Sequence, residues 1–352
     1  MRIAKRKLFA VGCFASLTVL GFQNCGRFSP TAAEDSAIGS LGQSNGSQST
    51  PSSAVPTASP VPTPSPIQLK TAGDVASISS STTYSLINDI DLAGQSLPPK
   101  LSNVVIFGNG FTIKNIAIDC DPTRGCNNSH QAIDGTSFVN SKLDNLKLEI
   151  TSDISTLPAN PIGAVSVNAL NFSGSTVTNL ELKYNLKGTY VRSGGDNRLV
   201  LYSIHARDHS ILKNINLTES VDIGIGGLSE MIWLCQIGAV TDSNLSQLRA
   251  STIAKIDMPN GDNFSQFLFD AVSGTSTVDS SVINQSVQLS AGTTNVSVIA
   301  KDMLEFAQKS STISNSTFAQ TANQSLFLPA KLLTQDTSIT VVNSTHTWTQ
   351  AP

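Results

Sequence analysis

Leu143-Asp-Asn145-Leu146-Lys-Leu148 decides the fold, because the same phrase returns along the chain. It reads apolar, any, Asn, apolar, any, apolar. Close copies are Ile113-Lys-Asn115-Ile116-Ala-Ile118, Val177-Thr-Asn179-Leu180-Glu-Leu182 and Leu212-Lys-Asn214-Ile215-Asn-Leu217. Weaker copies begin at Leu245, Val278, Ile313 and Ile339. From Ile113 onward the leading residues are spaced 30, 34, 35, 33, 33, 35 and 26 apart. A period in the thirties marks a repeat architecture.

The phrase has a direct physical reading. Its first apolar residue ends one strand and points inward. Asn takes a sharp corner, because it tolerates the left-handed backbone better than other non-glycine residues. The next two apolar residues then point inward from a new strand, at period two. Stacked coils should bring Asn115, Asn145, Asn179, Asn214 and Asn315 into one column, with Gln247 and Ser280 at the same offset. Two inward columns should follow: Ile116, Leu146, Leu180, Ile215 and Leu248, then Ile118, Leu148, Leu182, Leu217 and Ala250. Only Leu69 to Ser80 and Met303 to Gln308 show any helical period. The expected fold is therefore all-β: one right-handed parallel β-helix of about eight coils over 69–352, capped at both ends.

Upstream lies an export pattern. Met1-Arg-Ile-Ala-Lys-Arg-Lys7 is a positive n-region, and Leu8 to Phe22 is an uncharged apolar run of 15 residues, short for a spanning helix. Gln23-Asn24-Cys25 follows. A cysteine there resembles a bacterial lipoprotein signal, which implies cleavage after 24 and a lipid-bearing Cys25. Secretion with cleavage nearby, or a retained anchor, are the alternatives. Cys13 follows a better local motif but leaves too short an apolar run. Residues 25–68 read as a disordered tether. Seven of the 15 prolines fall between Ser29 and Gln68, and the rest is mainly Ser, Thr, Gly, Ala and Gln. Such a stretch cannot bury enough surface to offset its ordering entropy. As a coil it would reach about 35 Å.

Charged residues make up only 13% of the chain and the net charge is −3, which argues against a nucleic-acid partner. Tyr84-Ser-Leu-Ile-Asn-Asp89-Ile-Asp91-Leu92, followed by Phe107-Gly-Asn-Gly110-Phe, resembles the opening of bacterial β-helix surface proteins. Ile162-Gly-Ala-Val and Ile237-Gly-Ala-Val are similar to the GLUG repeats of adhesins. The resemblance implies a pectin-lyase-like right-handed β-helix, with loops inserted at Pro158–Pro161, Gly194–Asn197 and Pro259–Asp262. Asp89 and Asp91 admit a calcium site, but a turn contact is the simpler reading. Leu69 to Ser80 should cap one end, and the region after Asn323, including Leu328 to Leu333, the other.

Chemistry is sparse. Cys120-Asp-Pro-Thr-Arg-Gly-Cys126 should close a disulfide loop in an exported protein, and Cys235 reads as a buried thiol. The histidines are His130, His205, His209 and His346. His205-Ala-Arg207-Asp208-His209 is the densest polar cluster and supplies the only catalytic candidates: His205, Arg207, Asp208 and His209. Strand alternation would put His205, Arg207 and His209 on one face. No paired-carboxylate phrase, nucleophile elbow, phosphate loop or metal-ligand spacing is present, so neither cofactor nor metal is expected. The expected function is a lipid-anchored, non-catalytic binding protein at the outer membrane or cell surface, adhesin-like or touching glycan. Two alternatives stand: a polysaccharide lyase or glycoside hydrolase, and a structural envelope component. A periplasm-facing or secreted location is the alternative address.

Overall fold

The computed structural model describes residues 65–121, 126, 132–157, 165–191, 197–226, 230–258, 263–291, 297–299, 304–307, 311–323 and 339–350. The signal segment, Cys25, most of the tether, the loop insertions up to residue 196 and at 259–262, and Leu328 to Leu333 lie outside these residues. Among the described residues no helix is long and apolar enough to cross a membrane.

The chain from Ile67 on is a parallel β-solenoid. Among the described residues, a sixteen-stranded sheet, sheet 1, and an eight-stranded sheet, sheet 2, run up the solenoid. Five successive coils, 105–139, 142–173, 176–207, 211–241 and 244–273, alternate between them. Shorter or partly described coils flank these on both sides, so the expected eight reduce to about five full turns. The strand Leu304–Ala307 occupies part of the window read as helical. The first strand, Ile67–Leu69, starts two residues before the expected boundary.

Sheet 1 has one wet face. Ile211–Gly226 and Asn244–Met258 alternate exposed and buried residues almost throughout. Inward rows stack in register, Leu180↔Ile215↔Leu248 and Leu182↔Leu217↔Ala250, all at most 3% exposed. Burying each such leucine or isoleucine contributes roughly 2 kcal/mol. Outward rows are mainly polar, with Val191, Ile211, Ile253 and Val282 as exposed apolar exceptions. The pairs Lys183–Glu149 (2.9 Å) and Lys147–Glu181 (3.8 Å) cross neighbouring coils there and contribute little, being exposed.

The corners explain the phrase. Asn145, Asn179, Asn214, Gln247, Ser280, Asn315 and Asn343 hold φ between 48° and 56° at one register position. Nδ2 of Asn214 donates to Oδ1 of Asn179 at 2.7 Å, and Asn343 to Asn315 at 3.4 Å. The amide ladder is discontinuous: Asn179 and Asn315 donate to Asp144 and Asp279 at the preceding coil.

Asn115 stands outside this column. Ile113 pairs with Leu148, not Leu143, and the ladder then shifts by one residue at a bulge that contains Asn115. Its φ is 55°, yet its amide donates to both carboxylate oxygens of Asp91 at 2.8 Å. Ile116 accordingly stacks on Ile150, and Ile118 on Ser152, rather than in the expected columns. Gly108, whose N–H donates to Asp144, and Gly110, whose N–H donates to Asn145, fill the corner level with Asn145. The last copy is also displaced: Val341, not Ile339, pairs with Ile313. Asp91 accepts from the Ala93 N–H two residues on, a turn contact, whereas Asp89 accepts from the Thr112 N–H of the following coil, each at 2.8 Å.

A second column is serine. Ser141, Ser175, Ser210, Ser243 and Ser276 line the turn from sheet 2 into sheet 1, each at most 3% exposed. The N–H of each of the first four donates to the hydroxyl of the next, at 3.0–3.2 Å. Each hydroxyl donates in turn to a carbonyl at or near the end of its own preceding strand, as Ser243 does to Thr241 at 2.7 Å.

At the N-terminal end, Thr71 and Asp74 form a capping box on the helix Ala72–Ala76, which buries Val75 against the core. Sheet 2 differs from sheet 1 in being buried on both faces along much of Val165–Ser173 and its neighbours. Pairing there passes from Asn168↔Tyr202 straight to Leu170↔Ile204, so consecutive residues Ala169 and Leu170 both enter the core. Gly135 is required at this kink, since a Cβ would collide with the Ala169 carbonyl. Opposite the kink, sheet 1 carries a polar inward row: Tyr184, Glu219, Thr252, Gln285 and Gln320. Gln285 donates to the Phe267 carbonyl at 3.1 Å.

Candidate functional site

Among the described residues, the outward face of sheet 2 gathers the densest chemistry. Register places Asp134, Asn168, Tyr202, Cys235 and Phe267 in one row across five strands. Ser137, Asn171 and His205 form part of the next row outward. Val200, Cys235 and Phe267 are buried on this face, with Tyr202 and Trp233 packed against them. Trp233 meets Phe267 edge-on, ring centroids 5.7 Å apart.

His205 sits at the centre, 6% exposed. Gly238 lies directly beneath its ring, where any Cβ would overlap the imidazole. The Ala239 N–H donates to Nδ1 at 3.0 Å, and an Arg207 guanidinium nitrogen stands 3.5 Å from the same atom. Burial, and secondarily the Arg207 charge, push the imidazole down to about 3. The ring is therefore neutral, and with Nδ1 accepting, its proton must sit on Nε2. Among the described residues nothing accepts from Nε2. The Tyr202 ring lies edge-on to His205 at 4.6 Å between centroids. Its hydroxyl donates to Asp270 at 3.2 Å. Burial pushes Asp270 up, while the Tyr202 bond and the Arg207 charge act the other way.

The structure thus brings together His205 and Arg207 of the sequence candidates, and adds Tyr202 and Asp270. It does not bring in Asp208 and His209. The strand Asn197–Arg207 ends before them. Both adopt left-handed φ, 55° and 64°, in the exposed turn, where Asp208 accepts from the Ser173 hydroxyl at 2.6 Å. His209 therefore does not share the His205 face. His130 lies outside the described residues. His346 is elsewhere, Nε2 2.9 Å from the Gln320 side-chain oxygen.

The arrangement suits binding better than hydrolysis. Asp134 and Asp270 are the acids in these rows, and four strand steps separate them, about 19 Å at the usual spacing. Paired-carboxylate hydrolysis needs roughly 5–10 Å. A histidine held near 3 is also a poor base at neutral pH. Among the described residues no cluster of three His, Cys, Asp or Glu could hold a metal ion. Cys120 and Cys126 are joined in a disulfide and Cys235 is a buried thiol.

Tyr202 and Asp270 were missed in the sequence because 68 residues separate them, and the irregular period hides that the two strands are two coils apart. The molecule is, by its fold, a parallel β-solenoid. The chain matches no protein-family model, no curated protein and no solved structure.

Proposed function

We propose that this chain is a lipid-anchored, non-catalytic binding protein of the bacterial outer membrane or cell surface. Cys25 carries the lipid, residues 25–68 form the tether, and the solenoid presents the outward face of sheet 2 to a glycan. In this reading the solenoid belongs with the pectin-lyase-like β-helices and the GLUG-type repeats that its sequence resembles.

One observation carries the reading: a buried neutral His205, whose Nε2–H has no acceptor among the described residues, beside an exposed Arg207. Half-buried Tyr202 and Trp233 add aromatic area, and Asp270 adds an acceptor. Sugars are bound by this mixture of apolar stacking and a few placed polar groups. The test is a glycan-array screen of the full chain, repeated with Arg207→Ala. Binding that weakens at least tenfold in the variant supports the proposal. Binding indifferent to Arg207 contradicts it.

A further inference from the structure

We propose that the solenoid interior holds one ordered water molecule in a chamber bounded by Ser203, Glu219, Gln236 and Thr252. The Gln236 amide and the Glu219 carboxyl hold it.

The four side chains converge by register. Tyr202↔Cys235 and Ile204↔Ile237 are partners, which sets Gln236 beside Ser203 on sheet 2. Glu219 and Thr252 are partners on sheet 1. The Ser203 hydroxyl crosses the interior to donate to Glu219 at 2.7 Å, and Thr252 donates to the other carboxyl oxygen at 2.6 Å. Ser203 reaches 16 residues forward to do this. The same step from Gln236 leads to Thr252, so the Gln236 amide faces the Thr252–Glu219 pair.

Gln236 is 0% exposed. Among the described residues neither its Nε2 nor its Oε1 has a hydrogen-bond partner. A buried amide left without partners costs more than fixing one water, which is why such groups in native proteins hold ordered water. The neighbours also leave room. Ser203 and Thr252 are smaller than Gln236 and Gln285, which hold the same positions one coil on.

Glu219 gives the water a second task. Burial pushes its carboxyl up to about 7, so near neutrality both protonation states are populated. The acid form has an O–H to donate, and the carboxylate can accept a third donor. A water molecule serves either by reorienting, whereas the two hydroxyls are already committed as donors.

The experiment is a high-resolution crystal structure of the full chain, paired with Gln236→Met. Methionine keeps the volume and removes both polar atoms. Wild type is expected to show one water peak within about 3.2 Å of a Gln236 amide atom and of Glu219 or Thr252. The variant is expected to lose that peak, and magnetic relaxation dispersion should count one fewer long-lived water. A dry chamber, a Gln236 amide bonded directly to protein, a metal cation in the peak's place, or an unchanged count in the variant would each overturn the proposal. If the variant does not fold, the wild-type density decides alone.

Discussion

The amide of Asn214 donates to the side-chain oxygen of Asn179 at 2.7 Å, across one coil, while both residues hold φ of 54°. Each asparagine is doing two separable jobs. One is to occupy a left-handed corner, and the other is to tie neighbouring coils together. Asn179→Ala loses both and should destabilise the solenoid by about 2 kcal/mol. Asn179→Gly keeps the corner and loses only the amide, so about 1 kcal/mol is expected. Denaturant unfolding of the two variants checks the ranking. Equal losses would mean the corner conformation contributes nothing.

The serine column makes a sharper stability claim. Ser210→Ala removes the acceptor of the buried Ser175 N–H. An unpaired buried N–H should cost about 1–3 kcal/mol. Ser220→Ala, on the exposed face of the strand that follows Ser210, should stay within about 0.5 kcal/mol. Similar effects for the two would remove the ladder's claimed role.

These two columns show what was legible in the sequence. The corner phrase reports local backbone conformation, and Asn at positive φ is a local property. That is why the solenoid and the corners at Asn145, Asn179 and Asn214 could be read directly. Local likeness does not say which corner of the coil a phrase occupies. Ile113–Ile118 carries the same phrase as Leu143–Leu148, yet lies one strand further round, at a bulge against Asp91. The serine column was legible too, four residues before each corner, but serine reads as turn filler unless the offset is noticed. The Tyr202–Asp270 contact was not legible, since it depends on the widths of the coils between.

Glu219 should imprint a pH dependence. Its folded value, about 7, lies above the ordinary 4.5. Its contribution is therefore fully present below about pH 4.5 and is lost as pH rises through 7. The size is on the order of 3 kcal/mol. His205 acts in the opposite sense: held at about 3, it favours the fold above its ordinary 6.5 and loses that contribution as pH falls. The two overlap between about pH 4.5 and 6.5, so the wild-type curve alone does not separate them. The difference between wild type and Glu219→Gln isolates the carboxyl. It should shrink steadily from pH 4.5 to 7 and then level off. A difference independent of pH would mean that the fold does not raise the Glu219 carboxyl above its ordinary value.

For His205 the direct readout is the ring nitrogens. Nitrogen-15 spectra should show a neutral imidazole with the proton on Nε2 at every pH from 5 to 8. Titration near 6.5, or a proton on Nδ1, would contradict the hydrogen bond from Ala239.

The central claim is that the outward face of sheet 2 binds a glycan without cleaving it. The most direct measurement is a glycan screen of the full chain, with product analysis on every ligand that binds. The expected result is saturable binding, weakened at least tenfold by Arg207→Ala, with the glycan recovered intact. Release of unsaturated or newly reducing ends, abolished by the same substitution, would make this face an active site and contradict the claim.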